Sequence, residues 1–165
     1  MTTRRNVLLG TAFGVLAGAG ALTAVTATGA PSRPARAYAI NHPDQEWRQL
    51  LSPAAYDVLR NAGTERPYSS PLNGEHRSGV FTCAGCGQAL YSSTTKFESG
   101  TGWPSFYKPL DNVVFEQADH SGGMSRTEVL CSRCGGHLGH VFNDGPQPTG
   151  LRYCMNGVAM GFRPA

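Results

Sequence analysis

The sequence predicts a mainly β protein of antiparallel strands, with short N-terminal helices and a structural zinc site. Beyond residue 64, short apolar or alternating runs are separated by Gly, Pro, Ser and Asn, which is typical of strands joined by turns. No helical stretch separates these runs, so parallel β-α-β units have no room. Two C-x-x-C pairs supply four thiolates, the ligand set of a tetrahedral zinc ion.

The first 37 residues are predicted to be a twin-arginine signal peptide. Arg4 and Arg5 precede an uncharged run rich in Gly, Ala, Thr and Val, and a small-x-small cleavage site follows at residues 35–37, with a second at 37–39. The alternative is a membrane helix that stays attached, but the Gly, Thr and Ala content favours cleavage. We therefore predict export by the twin-arginine route to the periplasm or the extracellular space, without stable membrane insertion after cleavage.

Removal of this segment changes the sign of the net charge. Four of the 14 Lys and Arg lie in it but none of the 11 Asp and Glu, so the formal charge falls from +3 to −1. The remaining basic residues are scattered among the acids, and we expect no nucleic-acid partner. Residues 38–165 have the length of one domain, and we expect a monomer.

A short first helix is predicted over residues 43–51. Its apolar residues Trp47, Leu50 and Leu51 are expected to share one face. We assign this segment a packing role and no chemistry.

Ser52 and Pro53 predict the start of a second helix, because Ser is a favoured N-cap and Pro is favoured at the first helical position. We expect this helix over residues 53–61, with Gly63 ending it. Seven strands are predicted after it: residues 80–82, 89–92, 113–117, 126–130, 139–142, 151–155 and 158–162.

The predicted zinc ligands are Cys83 and Cys86 in the first pair and Cys131 and Cys134 in the second. A C-x-x-C turn presents two thiolates from one tight loop, and four thiolates leave no position for a reactive water. One structural zinc per chain is therefore expected. Disulfides are the alternative in an oxidising compartment, but two such pairs beside Gly favour metal. A protein that is exported already folded can bind zinc in the cytosol, before it reaches that compartment.

Cys154 has no cysteine partner and is the candidate for chemistry. A small buried hydrophobic residue is the ordinary alternative. Arg152, two residues away on a strand, shares its face and is expected to stabilise a thiolate, and Asn156 follows on that face. His137 and His140 are candidate proton donors, although core positions or competition for the zinc also fit them.

Four stretches of the sequence resemble the B-type peptide-methionine sulfoxide reductases. They are TKFESGTGWPSF (95–106), RTEV (126–129), HLGHVFNDGP (137–146) and PTGLRYCMN (148–156). The resemblance covers essentially all of residues 38–165. It implies a fold of two antiparallel sheets with short helices, and thiol-dependent reduction of methionine R-sulfoxide in peptides or proteins, here as repair of oxidised exported proteins.

The resemblance also implies a role for each candidate residue. Cys154 matches the nucleophile, which attacks the sulfoxide sulfur and becomes a sulfenic acid, and Trp103 matches the aromatic side chain that packs on the substrate methyl. Arg152 matches a residue near the thiolate. The four paired cysteines match a structural zinc site remote from the active site. Three positions match polar groups that orient a water or the sulfoxide oxygen: His137, His140 and Asn156.

Two positions depart from the family pattern. Thr101 stands where many members have a resolving cysteine, so we expect an external thiol or a thioredoxin-like protein to regenerate Cys154. Gly122 stands where the family commonly has a histidine. Two other functions remain as alternatives, a zinc-ribbon-like binding module without turnover and a Cys–His hydrolase.

Overall fold

Two antiparallel sheets and two short helices form the part of the chain that the computed structural model describes, residues 36–165. The predicted signal peptide falls outside the described residues, apart from its last two positions. The helices and strands are α1 (Asp44–Leu50), α2 (Pro53–Asn61), β1 (Gly79–Cys83), β2 (Ala89–Ser92), β3 (Lys96–Phe97), β4 (Ser105–Phe106), β5 (Val114–Asp119), β6 (Arg126–Cys131), β7 (His137–Phe142), β8 (Arg152–Met155) and β9 (Met160–Pro164). One sheet has the strand order β2-β1-β9 and the other β3-β4-β8-β7-β6-β5, which confirms the predicted fold class.

The predicted strands all form, with small shifts at their ends. The last one begins at Met160 rather than at residue 158, because a short 3-10 turn, Gly157–Ala159, precedes it. Two strands were not predicted, β3 and β4, and each has only two residues. Runs this short carry no alternation, so their strand character comes from their pairing partners.

Both predicted helices form, and two details of the prediction are wrong. Leu50 is 57% exposed and does not share the buried face of Trp47, whereas Leu51 turns inward after the helix has ended. The left-handed residue that ends α2 is Ala62, with φ 56°, and not Gly63. A Cβ at Gly63 would meet the end of the Asp57 side chain, which would have to move aside.

Aromatic side chains fill the space between the two sheets. Phe81 and Tyr91 come from the three-stranded sheet and Phe106 from the six-stranded one, and all three are fully buried. The Tyr91 and Phe106 rings stack with their centroids 4.3 Å apart, and the Phe81 ring meets Phe106 edge-on at 4.8 Å. Such ring pairs stabilise a core beyond their buried area, so this cluster holds the sheets together.

The position of Cys154 is determined by its strand. β8 lies between β4 and β7, and its register places Cys154 opposite Ser105 on one side and His140 on the other. Gly139 allows this approach, because a Cβ there would collide with the Cys154 carbonyl and with Met155. Within residues 36–165, no helix is long and apolar enough to cross a membrane.

Candidate active site and metal centre

A cavity of about 140 Å³ opens beside Cys154. Four of the predicted site residues line it: Cys154, His140, Asn156 and Trp103. His137 and Arg152 do not. The complete lining is Thr64, Trp103, Arg126, Gly139, His140, Phe142, Cys154 and Asn156. The structure therefore gathers an aromatic ring, a thiol and polar groups around one small space.

The thiol of Cys154 is half-buried, and burial raises its pKa above the ordinary value. Hydrogen bonds from Thr101 and Arg152 and the charge of Arg152 act in the opposite direction but do not overcome burial. The expected stabilisation of a thiolate by Arg152 is thus present, yet it is outweighed. At neutral pH the resting group is mainly the thiol.

Arg152 is neutralised by a partner that the sequence reasoning did not consider. Its Nε and Nη2 each donate to the Asp144 carboxylate at 2.9 Å. The guanidinium also lies over the Phe142 ring, 4.4 Å from the centroid. This bidentate pair fixes the side chain and at the same time weakens its field at Cys154.

A chain of three hydroxyls leads away from the Cys154 sulfur. The Thr101 Oγ1 lies 3.8 Å from Sγ and 2.8 Å from the Ser99 hydroxyl, which is 2.7 Å from the Ser105 hydroxyl. The Ser105 hydroxyl donates to the Trp103 carbonyl at 3.1 Å. Ser99 therefore donates to Ser105, and the Thr101 proton can turn toward the sulfur when it becomes a thiolate.

His140 is hydrogen-bonded to a half-buried acid, Asp119. Its Nε2 lies 2.8 Å from Asp119 Oδ2, which also accepts from Arg126 at 2.8 Å. Burial alone would raise the pKa of Asp119, but hydrogen bonds from Ser121 and His140 and the charge of Arg126 lower it well below its usual range. An ionised Asp119 can only accept, so His140 carries its proton on Nε2. Burial lowers the pKa of His140, which is neutral at pH 7.

His137 lies behind His140 instead of lining the cavity. Its ring is 1% exposed, and its Nδ1 is 2.6 Å from the carboxylate of Glu128, which also accepts from Gln117 at 2.7 Å. The two histidine rings meet edge-on with centroids 5.3 Å apart. Any effect of His137 on a ligand in the cavity is therefore transmitted through His140 or through water.

Asn156 uses its amide to hold two segments of backbone. Its Oδ1 accepts from the Glu65 backbone N–H at 3.0 Å, and its Nδ2 donates to the Leu138 carbonyl at 3.1 Å. The side chain is 3% exposed. The structure thus gives Asn156 a role in shaping the cavity wall, alongside the predicted one of orienting a ligand.

Glu65 is a site residue that the sequence reasoning missed. Its carboxylate accepts from the backbone N–H groups of Gly157 at 2.6 Å and Val158 at 2.8 Å, and its carbonyl accepts from the Trp103 indole at 3.2 Å. It therefore joins the Trp103 loop to the turn that follows Cys154. No local pattern marks it, because these contacts span up to 93 residues of sequence.

The four paired cysteines form a second centre. All four Sγ atoms lie within 4.8 Å of one another, with Cys83 and Cys134 at 3.7 Å and Cys86 and Cys131 at 3.5 Å. A tetrahedral ion with sulfur ligands at about 2.3 Å separates them by roughly 3.8 Å. All five cysteines of the chain are free thiols in the structure, so no disulfide competes with this site.

The two turns of the metal centre have the same backbone geometry. Gly87 donates its N–H to the Cys83 carbonyl at 2.8 Å, and Gly135 donates to the Cys131 carbonyl at 2.9 Å. The α2 helix packs on them, and its Arg60 donates to the Cys134 carbonyl at 3.1 Å. None of the four cysteines lines the cavity that holds the fifth, which agrees with a structural role.

Comparison with known proteins identifies the family of this two-centre arrangement. The model of the SelR domain matches residues 51–164. The chain belongs to the SelR-domain family. Three similar relatives are each named peptide methionine sulfoxide reductase MsrB. The relative from Leptospira interrogans is 54% identical, in an alignment that covers 76% of this chain and 97% of the relative. That of Methanosarcina mazei is 56% identical over 74% and 89%, and that of Pseudomonas putida strain F1 is 56% identical over 72% and 92%.

The family comparison confirms the resemblance inferred from the four sequence stretches. It also gives the four-cysteine cluster its context, since a structural metal site of this type is typical of MsrB proteins. Gly122 lies with φ 61° in the turn that supports Asp119, where the Ser121 N–H donates to the carboxylate at 2.9 Å. A histidine at Gly122 would be strained in this left-handed conformation.

Replacement of Thr101 tests the hydroxyl chain in this SelR domain. In Thr101→Val the thiolate loses a hydrogen-bond donor, so the pH midpoint of Cys154 alkylation by iodoacetamide should rise by about one pH unit. Thr101→Ser keeps the donor and should keep the midpoint. Alkylation is followed by mass spectrometry of the Cys154 peptide. An unchanged midpoint in Thr101→Val would show that the hydroxyl does not reach the sulfur.

Proposed function

We propose that this chain is a peptide-methionine (R)-S-oxide reductase that reduces methionine R-sulfoxide in peptides and proteins, with Cys154 as its nucleophile. The proposal rests on one arrangement above all. Cys154, Trp103 and the Asp119-bound His140 surround the same small cavity, in a chain that belongs to the SelR-domain family. A binding module would have no use for a half-buried thiol facing a histidine and an aromatic ring.

The reaction moves the two-electron oxidation from the substrate sulfur to the Cys154 sulfur. The Cys154 thiolate attacks the sulfoxide sulfur, an S–S bond forms, and the oxygen takes up two protons and leaves as water. Water then adds to the Cys154 sulfur, and the S–S bond electrons return to the substrate sulfur with release of one proton. The products are methionine, reduced by two electrons, and a sulfenic acid on Cys154.

Proton delivery to the oxygen has to supply most of the rate. A thiol of ordinary pKa is only about 3% thiolate at pH 7, and burial reduces this fraction in Cys154. Even a pKa of about 7 would gain only about threefold, since nucleophilicity falls with basicity. A placed acid contributes roughly 10²–10⁴-fold. We assign this role to His140, which at rest is neutral with its proton on Nε2 toward Asp119. In the proposed reaction its Nδ1 takes up the proton that Cys154 loses, and the imidazolium, stabilised by Asp119 and with His137 behind it, passes a proton to the oxygen directly or through water.

The shape of the cavity supports selection of one epimer. Trp103 forms one wall and provides an apolar surface for the substrate methyl, while His140 and Arg126 provide polar groups for the oxygen. Methyl, oxygen and lone pair on the sulfur differ in size and polarity. Only one arrangement of the three satisfies both walls, and we propose that it is the R epimer.

We propose that the four-cysteine centre holds zinc and that Cys154 is regenerated from outside. Thiolate ligands in tetrahedral geometry favour zinc, which would join the two turns without taking part in the chemistry. Because the other four cysteines are committed to the metal, a first external thiol condenses with the sulfenic acid and releases water. A second thiol then breaks the mixed disulfide. Either an external thiol compound or a thioredoxin-like protein supplies both.

We also propose that the substrates are oxidised exported proteins, repaired by a monomeric enzyme after twin-arginine export. Apart from residues 36 and 37, the predicted signal peptide lies outside the described part of the chain. The packing of Tyr38 supports cleavage after Ala37 over cleavage after Ala39. A Cβ at Gly135 would collide with the Tyr38 ring, so this ring covers the second metal turn. Cleavage after Ala39 would remove it.

The first test uses residues 38–165 and Cys154→Ser. With a dithiol as reductant, the unsubstituted protein should reduce peptide methionine R-sulfoxide and leave the S epimer, because Cys154 carries the electron transfer. Cys154→Ser should lose the activity and keep its bound metal. Chromatographic separation of the epimers measures both. Reduction of the S epimer, or an acyl intermediate on Cys154, would contradict the proposal.

The second test compares proton delivery with thiolate stabilisation. His140→Ala removes the polar group at the cavity and should lower kcat/KM for the R-sulfoxide by about 100-fold or more. Arg152→Lys retains a positive charge beside a thiol that is already largely un-ionised, so it should cost about tenfold or less. Steady-state kinetics on folded, metal-loaded variants decide the order. A larger loss in Arg152→Lys would refute this assignment.

The third test concerns the metal. We expect one zinc per chain by elemental analysis, and Cys134→Ser should lose it and lower the thermal unfolding midpoint, since binding free energy of the metal contributes to folding. Cys154→Ser is the matched control and should retain both metal and midpoint. Full stability of Cys134→Ser without metal would contradict a structural role.

A further inference from the structure

A second and larger cavity lies beside the one that holds Cys154. It is a groove of about 660 Å³ between α2, the segment 64–72 and the turn that precedes β9. Most of its surface is apolar, with Asp57 and Arg66 among its polar members. The lining residues that carry the apolar surface are Ala54, Val58, Pro71, Leu72, Val158 and Met160.

The groove and the Cys154 cavity share a wall. Thr64 lines both spaces, and the consecutive residues Asn156 and Gly157 line one each. Glu65 lines the groove with its carboxylate held by the N–H groups of Gly157 and Val158. A ligand that occupies the cavity can therefore continue over Thr64 into the groove.

The outer wall of the groove is held in place before any ligand binds. Tyr68 donates its N–H to the Gly102 carbonyl and its hydroxyl to the Gly100 carbonyl, both at 2.7 Å. Asn73 donates to the Gly102 carbonyl at 3.1 Å. These bonds fix the segment 64–72 to the loop that carries Trp103, and a preformed wall lowers the entropy cost of binding.

Size separates the roles of the two spaces. A cavity of about 140 Å³ is smaller than the roughly 300–1,000 Å³ of pockets that enclose a whole small-molecule ligand, so it admits only a small group. The end of a methionine sulfoxide side chain has this size. The backbone and the neighbouring residues of a substrate polypeptide do not fit there, and the adjoining groove has ample room for them.

We propose that the groove binds the polypeptide that flanks the oxidised methionine and takes one of its apolar side chains. This inference rests on the proposed function, and it names the surface outside the cavity that a peptide substrate contacts. An apolar, concave and preformed surface suits such a side chain. Asp57 and Arg66 offer partners for polar groups of the same segment.

The test blocks the groove without touching the cavity. Ala54 is exposed on α2, and Ala54→Trp places a large ring in the groove. Leu50→Trp, on an exposed position of α1 outside the groove, is the matched control. Residues 38–165 and both variants are assayed with dithiothreitol, using N-acetyl-methionine R-sulfoxide and a heptapeptide with R-sulfoxide at its centre and Leu on either side.

The measured quantity is the ratio of kcat/KM for the peptide to that for the small substrate. Ala54→Trp should lower this ratio by about tenfold or more, as expected for losing the burial of one apolar side chain, and Leu50→Trp should keep it. An unchanged ratio in Ala54→Trp overturns the proposal. A second result also overturns it: Ala54→Trp keeps the ratio but turns over more slowly when thioredoxin replaces dithiothreitol as the reductant. The groove would then bind the reductant and not the substrate.

Failure of the proposed function has a different signature. If the unsubstituted protein reduces neither substrate, the reductase activity itself is absent, and the groove is not a substrate site. If it reduces both at similar rates and Ala54→Trp lowers both equally, the activity stands and the groove inference fails. Far-UV circular dichroism and metal content confirm that each variant is folded before the comparison.

Discussion

The rest of the structure depends on one constraint, the clustering of four cysteine sulfur atoms within 4.8 Å of one another. Cys83 ends β1 of the three-stranded sheet, and Cys131 ends β6 of the six-stranded sheet. A metal held by both turns therefore fastens the sheets to each other. β7 begins three residues after Cys134, so the same centre determines where His137 and His140 lie, although it contributes no atom to the cavity.

The active site handles charge by neutralising it locally. Arg152 is paired with Asp144, Arg126 and His140 share Asp119, and Glu128 faces His137. Each pair is partly or fully buried, so a lone charge would be costly and its partner reduces that cost. The consequence is that the charges around the cavity compensate one another in pairs, while burial keeps Cys154 mainly as the thiol. Such an environment suits proton transfer to a departing oxygen better than storage of a thiolate.

Glu65 shows how distant segments become one wall. Through its carboxylate, its N–H and its carbonyl it joins the turn after Cys154, the amide of Asn156 and the indole of Trp103. That wall separates the small cavity from the apolar groove. One residue therefore supports the position of the reacting group and the shape of the surface on which a substrate chain would lie.

Much of the fold and of the site was determined by the sequence itself. The C-x-x-C pairs, the Ser52 cap of α2 and the alternating strands are local patterns, and each appears in the structure where the sequence predicted it. Cys154 was singled out because it has no cysteine partner. These features depend on neighbouring residues, whose geometry a short stretch of chain specifies by itself.

Only the tertiary structure decided how the charges pair and where the grooves lie. Asp119, Asp144, Glu65 and Glu128 are ordinary acids in the sequence, and they pair with His140, Arg152, Val158 and His137 at separations of 8 to 93 residues. The high pKa of Cys154 depends on burial by segments from the whole chain, which no local spacing reveals. Local residue patterns specify turns, strands and metal knuckles, whereas burial and electrostatic balance are properties of the packed chain.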